Sequence, residues 1–271
     1  MFKPRLLRET AEIALTEIKR FIEPRMVEEF SLRRVSAPLY LPVSSGLNDP
    51  GDAVRFTLPS TREEVEIVRG LDRWLRSQLV RYDIAPGFGV FTVMNAIRPD
   101  VTETATGTPH IGAWAWQQAI NPDDANLELL SAVGKRLYTI LQKTEEMILE
   151  RFPHLKATLP QRYTVITRQQ IAEENPGASP ERQAYEYLHR HTNRAVFIID
   201  NNLTGTLMVW NPVSRCALSL ADIACANNPY KVNIGERPAV NAGDSPVTSV
   251  GGTLYRDQLA MQILHQPHLL R

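Results

Sequence analysis

Apolar residues at Ala11, Leu15, Ile18 and Ile22 recur at spacings of three and four, with Glu, Lys and Arg on the other face. They predict an amphipathic helix over residues 6–23 that Pro24 ends or restarts. Residues 35–43 are extended and apolar, and Pro38 and Pro42 assign them to an edge or interface strand, because proline cannot donate to a central ladder. Residues 54–58 alternate as a short strand. A helix is then expected from Ser60, with Glu63 completing a capping box and Val65, Val68, Leu71, Leu75 and Leu79 as its buried stripe. Two strands follow, residues 89–98 and 110–116, joined by a polar loop. The second carries Trp114 and Trp116 on one face and Ala113 and Ala115 on the other.

Residues 127–152 read as a long helix with a wide apolar face, 163–167 as a strand, and 180–191 as a helix opened by Pro180. Residues 195–200 and 206–212 flank Asn201-Asn202-Leu203-Thr204-Gly205 as a hairpin, and 217–222 add a strand. Residues 227–249 read as a long loop rich in Asn, Gly and Pro. Gly251-Gly252 then opens onto a short helix over 257–264. Hairpin-like connections with helices at intervals define an α+β class, a mainly antiparallel sheet flanked by helices. The regular alternation and glycine-rich first loop of a doubly wound parallel sheet are missing.

At 271 residues the chain is read as one domain, 1–271, able to bury a full core. Thirty Lys plus Arg balance thirty Asp plus Glu, which argues against nucleic acid as a partner. No apolar run is long enough for a membrane span, and a charged helix instead of a signal core follows Met1, so a cytoplasmic location is expected. Cys216 and Cys225 suit small buried residues better than a disulfide or metal pair. His189 and His191, two apart, would point to different faces of a helix, and no metal site is expected.

The turn cluster at 44–52 is open to two readings: local turn chemistry, or a loop whose Asp49 holds a cation. Arg98 suits an anion or a strand-end ion pair, His110 a surface hydrogen bond or a polar site. Asp222 is either a ligand carboxylate or a turn residue.

Several segments in chain order resemble ammonia-dependent asparagine synthetase, the aspartate–ammonia ligase on the class II aminoacyl-tRNA synthetase core. They are residues 35–42, Gly70-Leu71-Asp72-Arg73-Trp74-Leu75-Arg76, residues 89–100 and 112–116, Val209-Trp210-Asn211-Pro212-Val213, Gly251-Gly252 and residues 259–268. The resemblance implies a class II catalytic-core-like sheet with ATP and magnesium on one face, and a homodimer with Pro38 in the interface segment. The family makes aspartyl-adenylate, from which ammonia displaces AMP. By resemblance Arg98, followed by Pro99-Asp100, matches the α-phosphate arginine, and Asp100, His110, Gly251 and Gly252 complete the nucleotide-binding set. Asp49, Asp222 and Arg256 are the substrate-binding candidates, Arg256 standing two positions from Gln258, where the family has an arginine. The departures run one way: Leu75 stands for a lysine, Ala113 and Ala115 for Gln and Asp, Ser219 for a metal-associated glutamate and Ala226 for an arginine. Residues 195–210 are shorter than the family's.

Stabilising charge that builds on a reacting carboxylate needs such groups, and losing one donor costs about two to three orders of magnitude in rate. The expectation is a divergent, pseudoenzyme-like member that binds a nucleotide or a small amino-acid-like ligand, or regulates, as a homodimer or with an active synthetase. The alternative is an ATP-dependent ligase with a different acid or amine, using Arg98, Asp100, Glu103 and His110.

Overall fold

The computed structural model describes residues 6–102, 107–228 and 247–264. The chain folds as two compact units, one from residues 1–29, 126–224 and 254–271, the other from 30–125 and 225–253.

The first unit is organised by helix α3 (Leu127–Arg151), whose stripe Leu130, Val133, Leu137, Leu141 and Ile148 is buried. Asn126 caps it, its side chain accepting from the Leu129 amide at 2.9 Å. Against α3 packs α1 (Arg8–Glu29), longer than the pattern predicts, because Pro24 lies inside it. Ile22 and Met26, one turn apart across the proline, are both fully buried, so packing holds the helix through the missing donor. Strands β7 (Arg162–Thr167), β8 (Arg194–Ile199), β9 (Thr204–Asn211) and β10 (Cys216–Asn228) lie side by side in that order. β7–β8 is parallel; β8–β9 and β9–β10 are antiparallel. Gly134 and Gly205 let the Phe197 ring lie against the backbone, where an added Cβ would overlap it. Helix α4 (Arg168–Glu174), absent from the pattern reading, is set by a Thr167–Gln170 capping box, and α5 (Pro180–Arg190) follows as expected. The unit ends with α6 (Arg256–Leu264).

In the second unit the strand order is β1 (Leu32–Arg34), β5 (Gly89–Ile97), β6 (His110–Ala119), β11 (Val247–Tyr255). β1 runs parallel to β5; β5 and β6 are antiparallel, with Ile97 opposite His110. A smaller antiparallel sheet has the order β2 (Tyr40–Pro42), β4 (Glu64–Ile67), β3 (Arg55–Thr57). Helix α2 (Asp72–Arg81) packs on β5 and β6.

Three expectations need correction. The helix from Ser60 starts only at Asp72. Glu64-Val65-Glu66-Ile67 alternates with period two and pairs on both sides, turning back from β3 through Arg62 at φ 56°. Residues 35–43 are not one strand: β1 ends before them and β2 takes only Tyr40–Pro42. Gly251 and Gly252 lie inside β11, where the loop and helix entry were expected. Glu103, most of the 227–249 stretch and residues 265–268 lie outside the described residues.

Candidate functional site

In the second unit the candidates gather around Arg69, which the sequence reading did not single out. Its guanidinium grips Asp100 with two bonds, Nη1–Oδ1 at 2.5 Å and Nη2–Oδ2 at 2.9 Å. It also donates to the carbonyls of Pro50 and Asp52, each at 2.8 Å. The Arg69 amide donates to Asn48 Oδ1 at 2.9 Å, and the Arg69 carbonyl accepts from Arg98 Nε at 3.3 Å. One residue thus ties turn 48–52 to the end of β5. Gly51, at φ 125°, leaves room for the guanidinium where a Cβ would overlap it. The pairing raises the Arg69 pKa and holds the exposed Asp100 carboxyl below its ordinary range, in both cases chiefly through their mutual hydrogen bonds.

Asp49 performs turn and cap chemistry. Its Oδ1 accepts from the Arg73 amide at 3.3 Å, at the start of α2, and its carboxylate fills the space left by Gly70. Arg98, Asp100 and Asp49 are therefore brought together through Arg69, Gly70 and Arg73. Exposed His110 opens β6, with Thr108 Oγ1 joining its amide and carbonyl. Gly251 is a close-approach position: a Cβ there would overlap the Trp116 carbonyl. Gly252 is buried beside it in β11.

The β5–β6 pair decides what the alanines mean. Opposite residues in an antiparallel pair share a face, so the register puts Val90, Thr92, Met94, Ala113, Ala115 and Gln117 together, with Ala96 and Ala119 continuing that face. None of these eight is more than 3% exposed. Leu75, on α2, is also fully buried. Trp114 and Trp116, on the other face, are buried too, Trp116 stacking on Phe30 at 5.9 Å.

In the first unit Asp222 sits exposed on β10, opposite Thr206. Thr206 Oγ1 donates to Asp222 Oδ1 at 2.8 Å and Tyr255 Oη to Oδ2 at 2.6 Å. Arg256 opens α6 almost wholly buried; burial lowers its pKa, and the nearby charges of Asp257 and Glu23 oppose that. Thr206, Tyr255 and Arg69 escaped the sequence reading because each works through tertiary pairing. A weak signal for Arg69 was its place before Gly70, between a strand and a helix.

Among the described residues no three His, Cys, Asp or Glu side chains converge on one point. No helix among them is long and apolar enough to cross a membrane.

This architecture is that of a class II aminoacyl-tRNA synthetase catalytic core. Asparaginyl-tRNA synthetase from Entamoeba histolytica, in complex with asparaginyl-adenylate, superposes with a TM-score of 0.68 at 12% identity, over 97% of this chain and 65% of the synthetase. The enzyme from Pyrococcus horikoshii gives 0.66 at 13% identity, over 96% and 67%. The chain belongs to the aspartate–ammonia ligase family, whose model matches residues 9–201. Relatives described as aspartate–ammonia ligase include those of Fusobacterium nucleatum, 37% identical over 78% of this chain and 71% of the relative, and Bacteroides thetaiotaomicron, 31% identical over 99% and 90%. That of Bacillus cytotoxicus is 28% identical over 97% and 90%.

Proposed function

We propose that this member of the aspartate–ammonia ligase family does not make asparagine and serves as a nucleotide- or small-molecule-binding, regulatory paralogue. The observation that carries this reading is the closed face of the β5–β6 pair. Where the family resemblance expects a glutamine and an aspartate, Ala113 and Ala115 lie within a continuous buried face, and Leu75, in place of a lysine, is buried as well. A charged aspartate and a developing adenylate need polar partners and room, and a packed face whose polar side chains, Thr92 and Gln117, are buried and bonded within the protein supplies little of either. Arg98 is kept at the end of β5 and is oriented by the Arg69 carbonyl, which supports retained phosphate binding.

We also propose a homodimer. Leu39 is 66% exposed and Tyr40 41%, in the segment that matches the family's interface motif, and Phe56 beside Tyr40 is 40% exposed. Large apolar side chains clustered at a surface suit a covered interface.

The test is equilibrium binding of ATP with and without magnesium and aspartate, run beside a pyrophosphate-release assay. Binding of ATP without aspartate-dependent pyrophosphate release is the expected result. Release that depends on aspartate overturns the proposal.

A further inference from the structure

Most side chains of β9 and β10 alternate between a covered face and a more open one. Gly205, Leu207, Val209, Leu218, Ala221 and Ile223 are buried, and α3 packs against β9. By register Thr204, Thr206 and Met208 share a face with Ser219, Asp222 and Ala224, all half-buried or exposed; its Met208 end packs with buried Trp210 against α5, so the open part lies at Thr204, Thr206, Asp222 and Ala224. On that open floor, built otherwise of small or neutral side chains, Asp222 is the one charged residue of β10.

The carboxylate is unusually well fixed for an exposed group. Thr206 Oγ1 holds one oxygen from the strand opposite, and Tyr255 Oη, at the end of β11, holds the other. The two bonds set the carboxylate plane, and each oxygen keeps acceptor capacity. Both partners are neutral hydroxyls, and among the described residues Asp222 forms no ion pair. An oriented anion without a counter-charge, on a floor of small side chains, matches one chemical complement: a compact cation with several N–H donors. The family resemblance places a glutamate at Ser219 and an arginine at Ala226 on this strand. Their loss leaves the floor with a single sign of charge.

We propose that Thr206, Asp222 and Tyr255 form a receptor for the primary ammonium group of a small ligand. This rests on reading the chain as a small-molecule-binding protein and names the chemical class of that molecule. The ammonium donates to Asp222, whose position the two hydroxyls fix, and the aliphatic part of the ligand lies over Ala224.

The test is an NMR titration of the nucleotide-free full chain with 1,3-diaminopropane and with β-alanine, against propionate as the amine-free control. Both amines are expected to shift the resonances of residues 206, 222 and 255, with dissociation constants on the order of 1 mM, and propionate is not. Asp222→Asn keeps the size and removes the charge, and is expected to weaken amine binding at least about tenfold, the worth of one charge-assisted hydrogen bond. Tyr255→Phe should weaken it about threefold by freeing the carboxylate. Equal binding by Asp222→Asn, equal shifts with propionate, or no shift with either amine at about a hundred times that concentration overturns the receptor. Because no nucleotide is present, these outcomes are separate from aspartate-dependent pyrophosphate release, which bears only on the proposed function.

Discussion

Glu145 offers the sharpest test of how the first unit holds together. It lies on α3, 4% exposed, and a single oxygen, Oε1, accepts three hydrogen bonds: from the Thr158 amide at 2.7 Å, Thr158 Oγ1 at 2.9 Å and the Leu159 amide at 2.9 Å. The segment it fastens is tied onward to α6, since Gln262 Nε2 donates to the Thr158 carbonyl at 2.9 Å, and Gln262 Oε1 accepts from Asn211 Nδ2 at 3.0 Å. Burial raises the Glu145 pKa from its ordinary 4.5, outweighing the three donors that lower it. A proton on Oε2 leaves all three bonds to Oε1 intact, and a glutamine reproduces that neutral form. Glu145→Gln should therefore stay within about 1 kcal/mol of the native protein. Glu145→Ala orphans two backbone amides at about 1–3 kcal/mol each and opens a cavity, for a loss of about 4 kcal/mol. The sign with pH follows from a raised folded-state value. The native fold binds the extra proton, so this group's contribution is fully present below the unfolded value and is lost as pH rises through the folded one, with a slope of at most about 1.4 kcal/mol per pH unit. Urea unfolding of the three proteins from mildly acidic to neutral pH measures both effects. Glu145→Gln should gain on the native protein as pH rises. An alanine variant losing under about 1 kcal/mol, or a glutamine variant tracking the native protein at every pH, would refute the reasoning.

Four further outcomes follow from single contacts. Gly251→Ala drives a Cβ into the Trp116 carbonyl and should cost about 3 kcal/mol, read from the urea midpoint. Asp100→Asn breaks the fork on Arg69 and should speed hydrogen exchange in turn 48–52. In the native protein, where Arg69 depresses the Asp100 pKa, that protection is present above the unfolded value of 3.8 and fades as pH falls through the folded one; the variant should show no such fading. Ala115→Asp, at a wholly buried position, should destabilise by about 3–5 kcal/mol in thermal unfolding, and a stable variant that releases pyrophosphate with aspartate would contradict the closed-face reading. Leu39→Asp should shift a dimer to monomer by sedimentation velocity with the fold retained by circular dichroism.

The elements legible in the sequence were those whose pattern is long and whose ends carry local signals. Helix α3 has seven turns of stripe and an asparagine cap, and the β8–β9 hairpin brackets a turn that holds Asn201 and Asn202; both were read to within a few residues. Glu64-Val65-Glu66-Ile67 was misread because Val65, Val68, Leu71, Leu75 and Leu79 also fit spacings of three and four, so strand and helix periods overlapped across β4 and α2. Only pairing with β2 and β3 decides between them. Proline misled for a similar reason, since at Pro24 buried neighbours outweigh a lost donor. The candidate site was legible in residue type and not in linkage. Arg98, Asp100 and Asp49 were named singly, whereas Arg69, which joins them, lies about thirty residues from Asp100 in sequence. Side-chain bridges of that span leave no periodic trace.

The replaced positions carry more weight together than apart. A lone lysine-to-leucine exchange on α2 would leave an apolar tip facing whatever polar groups the strand pair offered, and a lone aspartate-to-alanine exchange on β6 would leave an unmet cation. Either alone strands a buried polar group, at about 1–3 kcal/mol or more. Made together, Leu75, Ala113 and Ala115 satisfy one another's demand for an apolar environment, and all three are completely buried. A packed face of this kind tolerates no single charged residue, so on the proposed reading only concerted restoration of the polar set could reopen it. On β10 the change runs the other way. Where the resemblance expects a glutamate and an arginine stand the neutral Ser219 and Ala226, while Asp222 is braced by two hydroxyls. A carboxylate held in place from both sides, on a strand with no other charge, is the strongest physical ground for seeking a ligand there.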